Sequence, residues 1–293
     1  MRVFVFGGTG SIGGAVVREL VARRHDVIGL ARSEASALRL RQHGAASLAG
    51  DIASPERWTK TLPRIDAVIH IACDFKSDMT GIDRRLLDIL LPALAAQPVK
   101  PRFIYTGGCW QFGATHGEVA TEETPLDPLP AFAWMVPHLH RVLAAPEVDG
   151  IVIHPAMVYD GAGGVFQRFA REAIERDAVR VVESEAVRWP LVHRDDLANL
   201  YALVLERAPA GSSYIGAAIE AFSVGQIARA FAKRFGTRTH EPEIISADAV
   251  AAELGEWARG YARDQRLSGA RARRELGWQP KHLDPEREIA ELA

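Results

Sequence analysis

Short runs of β-branched and aromatic residues alternate along the first half of the chain with longer stretches whose apolar positions recur every third or fourth residue. The first run, Val3-Phe4-Val5-Phe6, gives way to Val16, Val17, Leu20 and Val21 at helical spacing. Brief unbroken apolar runs read as strands buried on both faces, and the longer periodic stretches as amphipathic helices. On this reading strands lie at 3–6, 26–31, 47–50, 67–72, 103–106 and 151–154, with helices filling the gaps. A βαβαβαβαβαβ order of that kind predicts an α/β fold, a doubly wound parallel sheet with helices on both faces.

Beyond Pro155 the alternation weakens, and Gly161-Ala162-Gly163-Gly164 marks a loop. An amphipathic stretch at 165–176, a helix after Asp195-Asp196, a short strand at 213–215 and a helix at 223–235 follow. A helical stretch ending in Leu276-Gly277-Trp278-Gln279-Pro280 closes the chain. Asp195-Asp196 before Leu197-Ala198 has the form of a helix N-cap, which is the preferred reading of His193-Arg194-Asp195-Asp196 over a metal cluster.

The first strand runs straight into Gly7-Gly8-Thr9-Gly10-Ser11-Ile12-Gly13, and the next helix opens there. Residues without side chains let the backbone turn sharply and approach a pyrophosphate, while the helix N-terminus offers free N–H groups and a positive dipole end. Gly8, Gly10 and Gly13 satisfy G-x-G-x-x-G, a weak pattern alone that the strand before it and the helix after it strengthen. Residues 1–160 are therefore expected to form a dinucleotide-binding domain. Residues 161–293 are expected to complete the sheet and build a smaller substrate lobe.

About 20 positions beyond such a loop an acidic residue ordinarily holds the ribose 2′-hydroxyl of NAD. Here the second strand ends in Ala31-Arg32-Ser33 instead. A guanidinium and a hydroxyl where a carboxylate would repel a 2′-phosphate predict a preference for NADP(H), with NAD(H) as the second choice. The alternative is that Arg32 is a solvated residue leading the next helix.

Composition narrows the partners. Thirty-five Lys and Arg against 37 Asp and Glu leave a formal charge of −2, so no net basic field draws the chain to nucleic acid or anionic lipid. Only two cysteines, Cys73 and Cys109, are present, which argues against a disulfide framework or a structural zinc site. The N-terminus lacks the zones of a signal peptide, and no apolar stretch approaches the roughly 20 residues that span a bilayer. The expectation is a cytoplasmic protein that takes a small-molecule substrate, holds no metal, and is able to pair with a second copy of itself.

Several further stretches are shared with a known family: Gly50-Asp51-Ile52, Val68-Ile69-His70-Ile71-Ala72, Ile104-Tyr105-Thr106-Gly107-Gly108, His154-Pro155-Ala156-Met157-Val158-Tyr159 and Trp189-Pro190-Leu191-Val192-His193. Together with the glycine loop and Leu276-Gly277-Trp278, they make the chain resemble the extended short-chain dehydrogenase/reductase superfamily. The likeness is to its NAD-dependent epimerase/dehydratase group, and to the atypical members in particular. The resemblance implies a Rossmann-type sheet with Asp51 and Ile52 at the adenine and Ile71, Ala72 and Cys73 near the riboses. It also implies that Pro155 and Met157 pass the nicotinamide carboxamide, with Thr106 counted among the cofactor residues. Read from the residues alone, Asp51 could equally cap the helix entered at Ser54-Pro55.

That family's chemistry uses a Tyr and a Lys four residues later on one helical face, the ammonium easing proton exchange by the phenol. No tyrosine of this chain has a lysine at that spacing. Where the family pattern would place the pair stand Phe132 and Val136, and the family's Ser/Thr position falls on Gly108. Neither Phe132 nor Val136 can exchange a proton.

Three replacements are open. Tyr159 follows a strand at the edge where doubly wound sheets place ligands, although a packed aromatic with a satisfied hydroxyl is the plainer reading. Lys76 follows the fourth strand and could supply the missing charge, or be a solvated surface lysine. His138 lies one turn beyond Trp134, but Pro137 disturbs that helix and leaves its direction open. His154 reads as structural, and Cys109 as a small buried residue. Trp110, Phe132 and Trp134 predict a bulky apolar substrate pocket, with core packing as the alternative.

The leading expectation is an NADP(H)-dependent oxidoreductase acting on a small apolar or aromatic organic substrate. A non-redox isomerase, lyase or dehydratase with tightly held nucleotide, and a catalytically silent dinucleotide sensor, are the alternatives.

Overall fold

In a computed structural model, residues 1–73, 77–161 and 163–292 are described. Val3 and Val5 face one side of the first strand, β1 (Arg2–Phe6), and Phe4 and Phe6 the other, and all four are fully buried. The same two-residue alternation runs through β2 (Asp26–Ala31), β3 (Ala46–Ala49), β4 (Ala67–His70), β5 (Arg102–Thr106) and β6 (Asp149–Pro155). It divides the core in two. Val3, Val5, Ile69, Ile104 and Ile151 pack under α1 (Ser11–Ala22). Phe4, Phe6, Val68, Phe103 and Tyr105 pack on the opposite face, under two later helices.

Between β2 and β3 lies α2 (Glu34–Gln42), and before β4 the single turn α3 (Pro55–Trp58). The helices of the second face are α4 (Met79–Ala95) and α5 (Met135–Ala144). Pro137 occupies the first turn of α5, where a backbone N–H has no intrahelical partner to lose. The expected disturbance does not occur, and the helix runs on to Ala144.

The second region contributes β7 (Met157–Asp160), β8 (Gly163–Gly164), α6 (Gln167–Arg176), β9 (Arg180–Val182), β10 (Arg188–His193), α7 (Arg194–Arg207), β11 (Ser213–Gly216) and β12 (Ile219–Ser223). After these come α8 (Val224–Phe235), β13 (Glu243–Ile245), α9 (Ala247–Leu254), α10 (Ala270–Leu276) and α11 (Pro285–Ala290). The central sheet has the order β11-β6-β5-β4-β1-β2-β3 and every pairing in it is parallel. Its direction of winding reverses between β1 and β4, which is where a doubly wound sheet opens a ligand crevice at the carboxyl ends of its strands. A four-stranded sheet, β12-β10-β7-β8, and the pair β13-β9 build the second lobe.

β4 ends at His70, not at residue 72, so Ile71, Ala72 and Cys73 leave the sheet at its carboxyl edge. The N-cap expected of Asp195-Asp196 is also corrected. α7 starts at Arg194, and the cap is His193, whose Nδ1 accepts the Asp195 N–H at 3.2 Å. Asp196, within the first turn, is buried, and its carboxylate accepts the Lys281 and His282 N–H groups at 2.9 and 2.8 Å. Trp278 Nε1 donates to the Asp196 carbonyl at 2.9 Å, so this residue fastens the C-terminal segment to α7.

Ser223 caps α8 by accepting the Gln226 N–H, and its own hydroxyl donates to the Glu185 carbonyl. Ser223→Ala is expected to lower stability by about 1 kcal/mol, measured as a shift in urea midpoint at unchanged slope. Among the described residues no helix is long and apolar enough to cross a membrane, and no group of three or more metal-ligating side chains is found.

Candidate functional site

Gly7 turns the chain out of β1 at a φ of +80°, and a Cβ there would stand 2.8 Å from the Ala72 backbone nitrogen. A Cβ at Gly13 would stand 2.0 Å from the Gly7 carbonyl oxygen, so the start of α1 lies directly on the loop that precedes it. Gly10 is the N-cap and no side chain closes the helix. The first N–H groups of α1 are therefore left facing the crevice with the positive end of the helix dipole behind them.

A cavity of about 420 Å³ begins at this loop, with Gly7, Gly10, Ser11, Ile12 and Gly13 in its wall. The chain leaving β4 forms one side through Ile71, Ala72 and Cys73. Thr106 at the end of β5, and Pro155 and Met157 around the end of β6, form the other. The far end is enclosed by Trp110, Phe132 and Trp134. The Trp110 and Phe132 rings meet at a tilt, 5.5 Å apart, and behind Trp110 lie Trp257 and Tyr261.

His70, Asp83 and Tyr105 also reach this wall. They belong to a buried polar cluster centred on the Asp83 carboxylate, which is 1% exposed. Asp83 accepts from His70 Nε2 at 2.5 Å, from the Tyr105 hydroxyl at 2.6 Å and from His138 Nδ1 at 2.7 Å. Burial by itself pushes the Asp83 carboxyl up, but the charge of His70 and the three donated hydrogen bonds outweigh it and hold the group well below the usual carboxylate range. Burial, and then the Asp83 charge, drive the Tyr105 phenol far above its ordinary value. A charged carboxylate with three donors is a satisfied arrangement in a place where an unpaired one would be costly.

Among the described residues, three side-chain polar atoms of the cavity lining are buried without a protein partner: His70 Nδ1, Trp110 Nε1 and Gln111 Nε2. The NAD dependent epimerase/dehydratase family model matches residues 3–216, the stretch that contains the loop, the crevice and this cluster. The chain belongs to that family. The family's nicotinamide dinucleotide fits the glycine cradle, since the open N–H groups and the missing Cβ atoms leave its phosphates a bed of backbone.

An uncharacterized protein of Schizosaccharomyces pombe is 29% identical over 291 residues, covering 96% of both chains. A dTDP-glucose 4,6-dehydratase of Streptomyces venezuelae, solved as a double mutant with NAD and DAU bound, superposes with a TM-score of 0.82 at 20% identity, covering 99% of this chain and 95% of that one. A human epimerase family protein solved with NADPH superposes at 0.81 and 20% identity, covering 99% and 98%. These structures share the Rossmann-type fold.

Within this member of the family, the residues expected at the cofactor fall into two groups. The loop glycines except Gly8, together with Ser11, Ile12, Ile71, Ala72, Cys73, Thr106, Pro155 and Met157, come together in the cavity wall. Gly8, Thr9, Arg32, Ser33, Asp51 and Ile52 lie outside it. Arg32 is exposed at the carboxyl end of β2. The Ser33 hydroxyl accepts the Ser36 N–H as the N-cap of α2. Asp51 turns its carboxylate onto the Ala53 N–H at 2.9 Å, while Ser54 occupies the cap position of α3.

Of the expected catalytic residues, Tyr159 is corrected. Its ring stacks on Phe166 at 4.6 Å, and its hydroxyl turns toward His282 and Glu288, outside the cavity. Burial, followed by the charge of Glu288, pushes its ionisation up. His138 does not line the cavity but reaches it through Asp83. Lys76 lies outside the described residues. Gly108 and Phe132 both line the cavity, and a Cβ on Gly108 would meet nothing within 4 Å.

His154 is buried against Phe112 and Gly107, and burial lowers its ionisation to about 4, which keeps it neutral. Cys109 points at Met157 Sδ, and burial pushes its thiol up to about 12. Both fit a structural role. The Asp83 cluster was the missed feature. Its signal was present in α4, where an aspartate stands four residues after Met79 and three before Leu86 on the buried stripe of the helix.

Proposed function

We propose that this family member is an NADP(H)-dependent oxidoreductase that moves hydride between the nicotinamide and a carbonyl or similar group of a small apolar or aromatic substrate. The observation that carries this reading is a single cavity, continuous from the glycine loop to the Trp110, Phe132 and Trp134 wall. A volume of about 420 Å³ bounded by aromatic rings and few polar atoms suits a compact apolar molecule lying against the nicotinamide end of the cofactor.

When bound, the dinucleotide supplies or accepts the hydride. Gly7, Gly10 and Gly13 bring backbone to its phosphates, and the start of α1 sets its negative charge against the helix dipole. Ile71, Ala72 and Met157 keep the reacting end dry, and Trp110 and Phe132 hold a flat substrate in place. The preference for NADP(H) is supported by Arg32. Its neighbour Ala31 pairs with Ala49 in β3, so Arg32 and Asp51 emerge together at the carboxyl edge on the adenosine side of the crevice. No acidic side chain partners the Arg32 guanidinium among the described residues, which leaves it open to a phosphate.

Incubating the protein with NADPH and a panel of aromatic aldehydes, ketones and imines is expected to consume the reduced nicotinamide absorbance. Silence across the panel, with nucleotide-sugars alone binding, overturns the reading. Arg32→Asp is expected to weaken NADPH binding about 10- to 100-fold while leaving NADH binding little changed, the worth of one charged hydrogen bond to a phosphate. Calorimetric titration with both nucleotides measures it.

A further inference from the structure

We propose that His70 exchanges the proton with the substrate oxygen, with Asp83 as its positioning residue, in the place of the absent Tyr-x-x-x-Lys pair. The inference rests on the oxidoreductase reading.

His70 lines the cavity at the carboxyl end of β4, is 4% exposed, and places its Nε2 2.5 Å from Asp83 Oδ1. An ionised carboxylate only accepts, so Nε2 carries a hydrogen in both forms of the ring, while Nδ1 accepts from a substrate hydroxyl in the neutral imidazole and donates to a substrate carbonyl in the imidazolium. The other nitrogen, Nδ1, is buried with no protein partner. Leaving a buried polar atom unpaired costs about 1–3 kcal/mol, and such atoms at a cavity are paired when a ligand oxygen arrives. Trp110 Nε1 and Gln111 Nε2, on residues of the same wall, are likewise buried side-chain atoms without a partner among the described residues, so a substrate oxygen entering this end meets two N–H donors and an imidazole.

Among the described residues, the titratable groups at His70 and its partners are Asp83 from α4, Tyr105 from β5 and His138 from α5, behind Asp83, with Cys73 after β4 acting on Tyr105. Tyr105 is unsuited to the task because its single proton is committed to Asp83 at 2.6 Å. Cys109 faces Met157. His138 is held on the far side of the carboxylate, outside the cavity wall. The rings of Phe6 and Tyr105 hold the imidazole edgewise at 5.5 and 5.4 Å.

In the reduction direction, hydride from the reduced nicotinamide bonds to the carbonyl carbon and the C=O π pair moves onto oxygen. That oxygen takes the proton from Nδ1 of the imidazolium, leaving a neutral imidazole with its remaining hydrogen on Nε2 against Asp83. Water restores the proton when the alcohol leaves. Oxidation of the alcohol runs the same transfers backward.

The test pairs single-turnover kinetics with nitrogen NMR of the histidines. His70→Gln is expected to bind NADPH like the parent by calorimetry and to transfer hydride to benzaldehyde at least about 100-fold more slowly. In Asp83→Asn hydride transfer is expected to slow while half-saturation by substrate stays near the parental value, a split that mere loosening of the site does not produce. Transfer by His70→Gln at the parental rate overturns the proposal and leaves the oxidoreductase reading standing. Should the parent itself transfer nothing, that reading fails, and His70 is judged on the NADPH-saturated parent with benzamide, an unreduced carbonyl probe. A shift confined to His70 Nδ1 supports its contact with the ligand oxygen, and an unmoved Nδ1 resonance overturns it.

Discussion

Gly13→Ala is expected to lower NADPH affinity on the order of 100-fold and to cost about 1–3 kcal/mol of stability. Alanine is the better helix former, so propensity alone would make this substitution favourable in α1. The added methyl would stand 2.0 Å from the Gly7 carbonyl oxygen, and that oxygen belongs to the backbone that carries the turn. Relief requires the loop to retreat from α1, which spoils the bed for the phosphates. Gly10→Ala is the comparison, because its methyl meets Gly7 only at 3.4 Å. Its stability is expected to stay within about 0.5 kcal/mol of the parent. Calorimetric titration and urea denaturation of the two variants separate the clash from any general intolerance of the loop.

Asp83→Ala is expected to destabilise the protein by about 3–5 kcal/mol at neutral pH, since it strands three buried donors on His70, Tyr105 and His138. Asp83→Asn keeps an acceptor oxygen and is expected to lose less. The acid dependence has a definite sign. The folded carboxyl is held below its unfolded value, so its contribution is complete above about pH 5 and is lost as the pH falls toward and below the unfolded value near 4. Stability of the parent therefore drops more steeply on acidification than that of Asp83→Ala, and the gap between them narrows. Denaturation curves at neutral pH and at about pH 2.5 measure that convergence; a gap that stays constant removes Asp83 from the acid response.

Much of the cofactor half of the site could be read along the chain because its parts are consecutive. Gly7 to Gly13 form one turn between one strand and one helix, and the hydrophobic periods on either side announce both. The exits at Ile71 to Cys73 and at Pro155 to Met157 lie at the ends of recognisable apolar runs. Tyr159 shows the limit of that approach. It too follows a strand, but β7 belongs to the second sheet, and packing on Phe166 turns its ring into the other lobe. Asp196 looked like a helix cap for a similarly local reason, and its partners, Trp278, Lys281 and His282, lie some 80 positions away along the chain.

The alternating strands and helices, the glycine turn and the lack of a tyrosine with a lysine one turn on are legible along the chain, because each depends on neighbours within a few residues. That His70, Asp83, Tyr105 and His138 meet follows from the packing of distant elements. They come from two strands and two helices, and it is the parallel order β4 beside β5, with α4 and α5 on one face, that brings their polar atoms within hydrogen-bonding reach. A carboxylate on an apolar helical stripe hints at a buried partner, but which side chains surround it depends on how the sheet is wound.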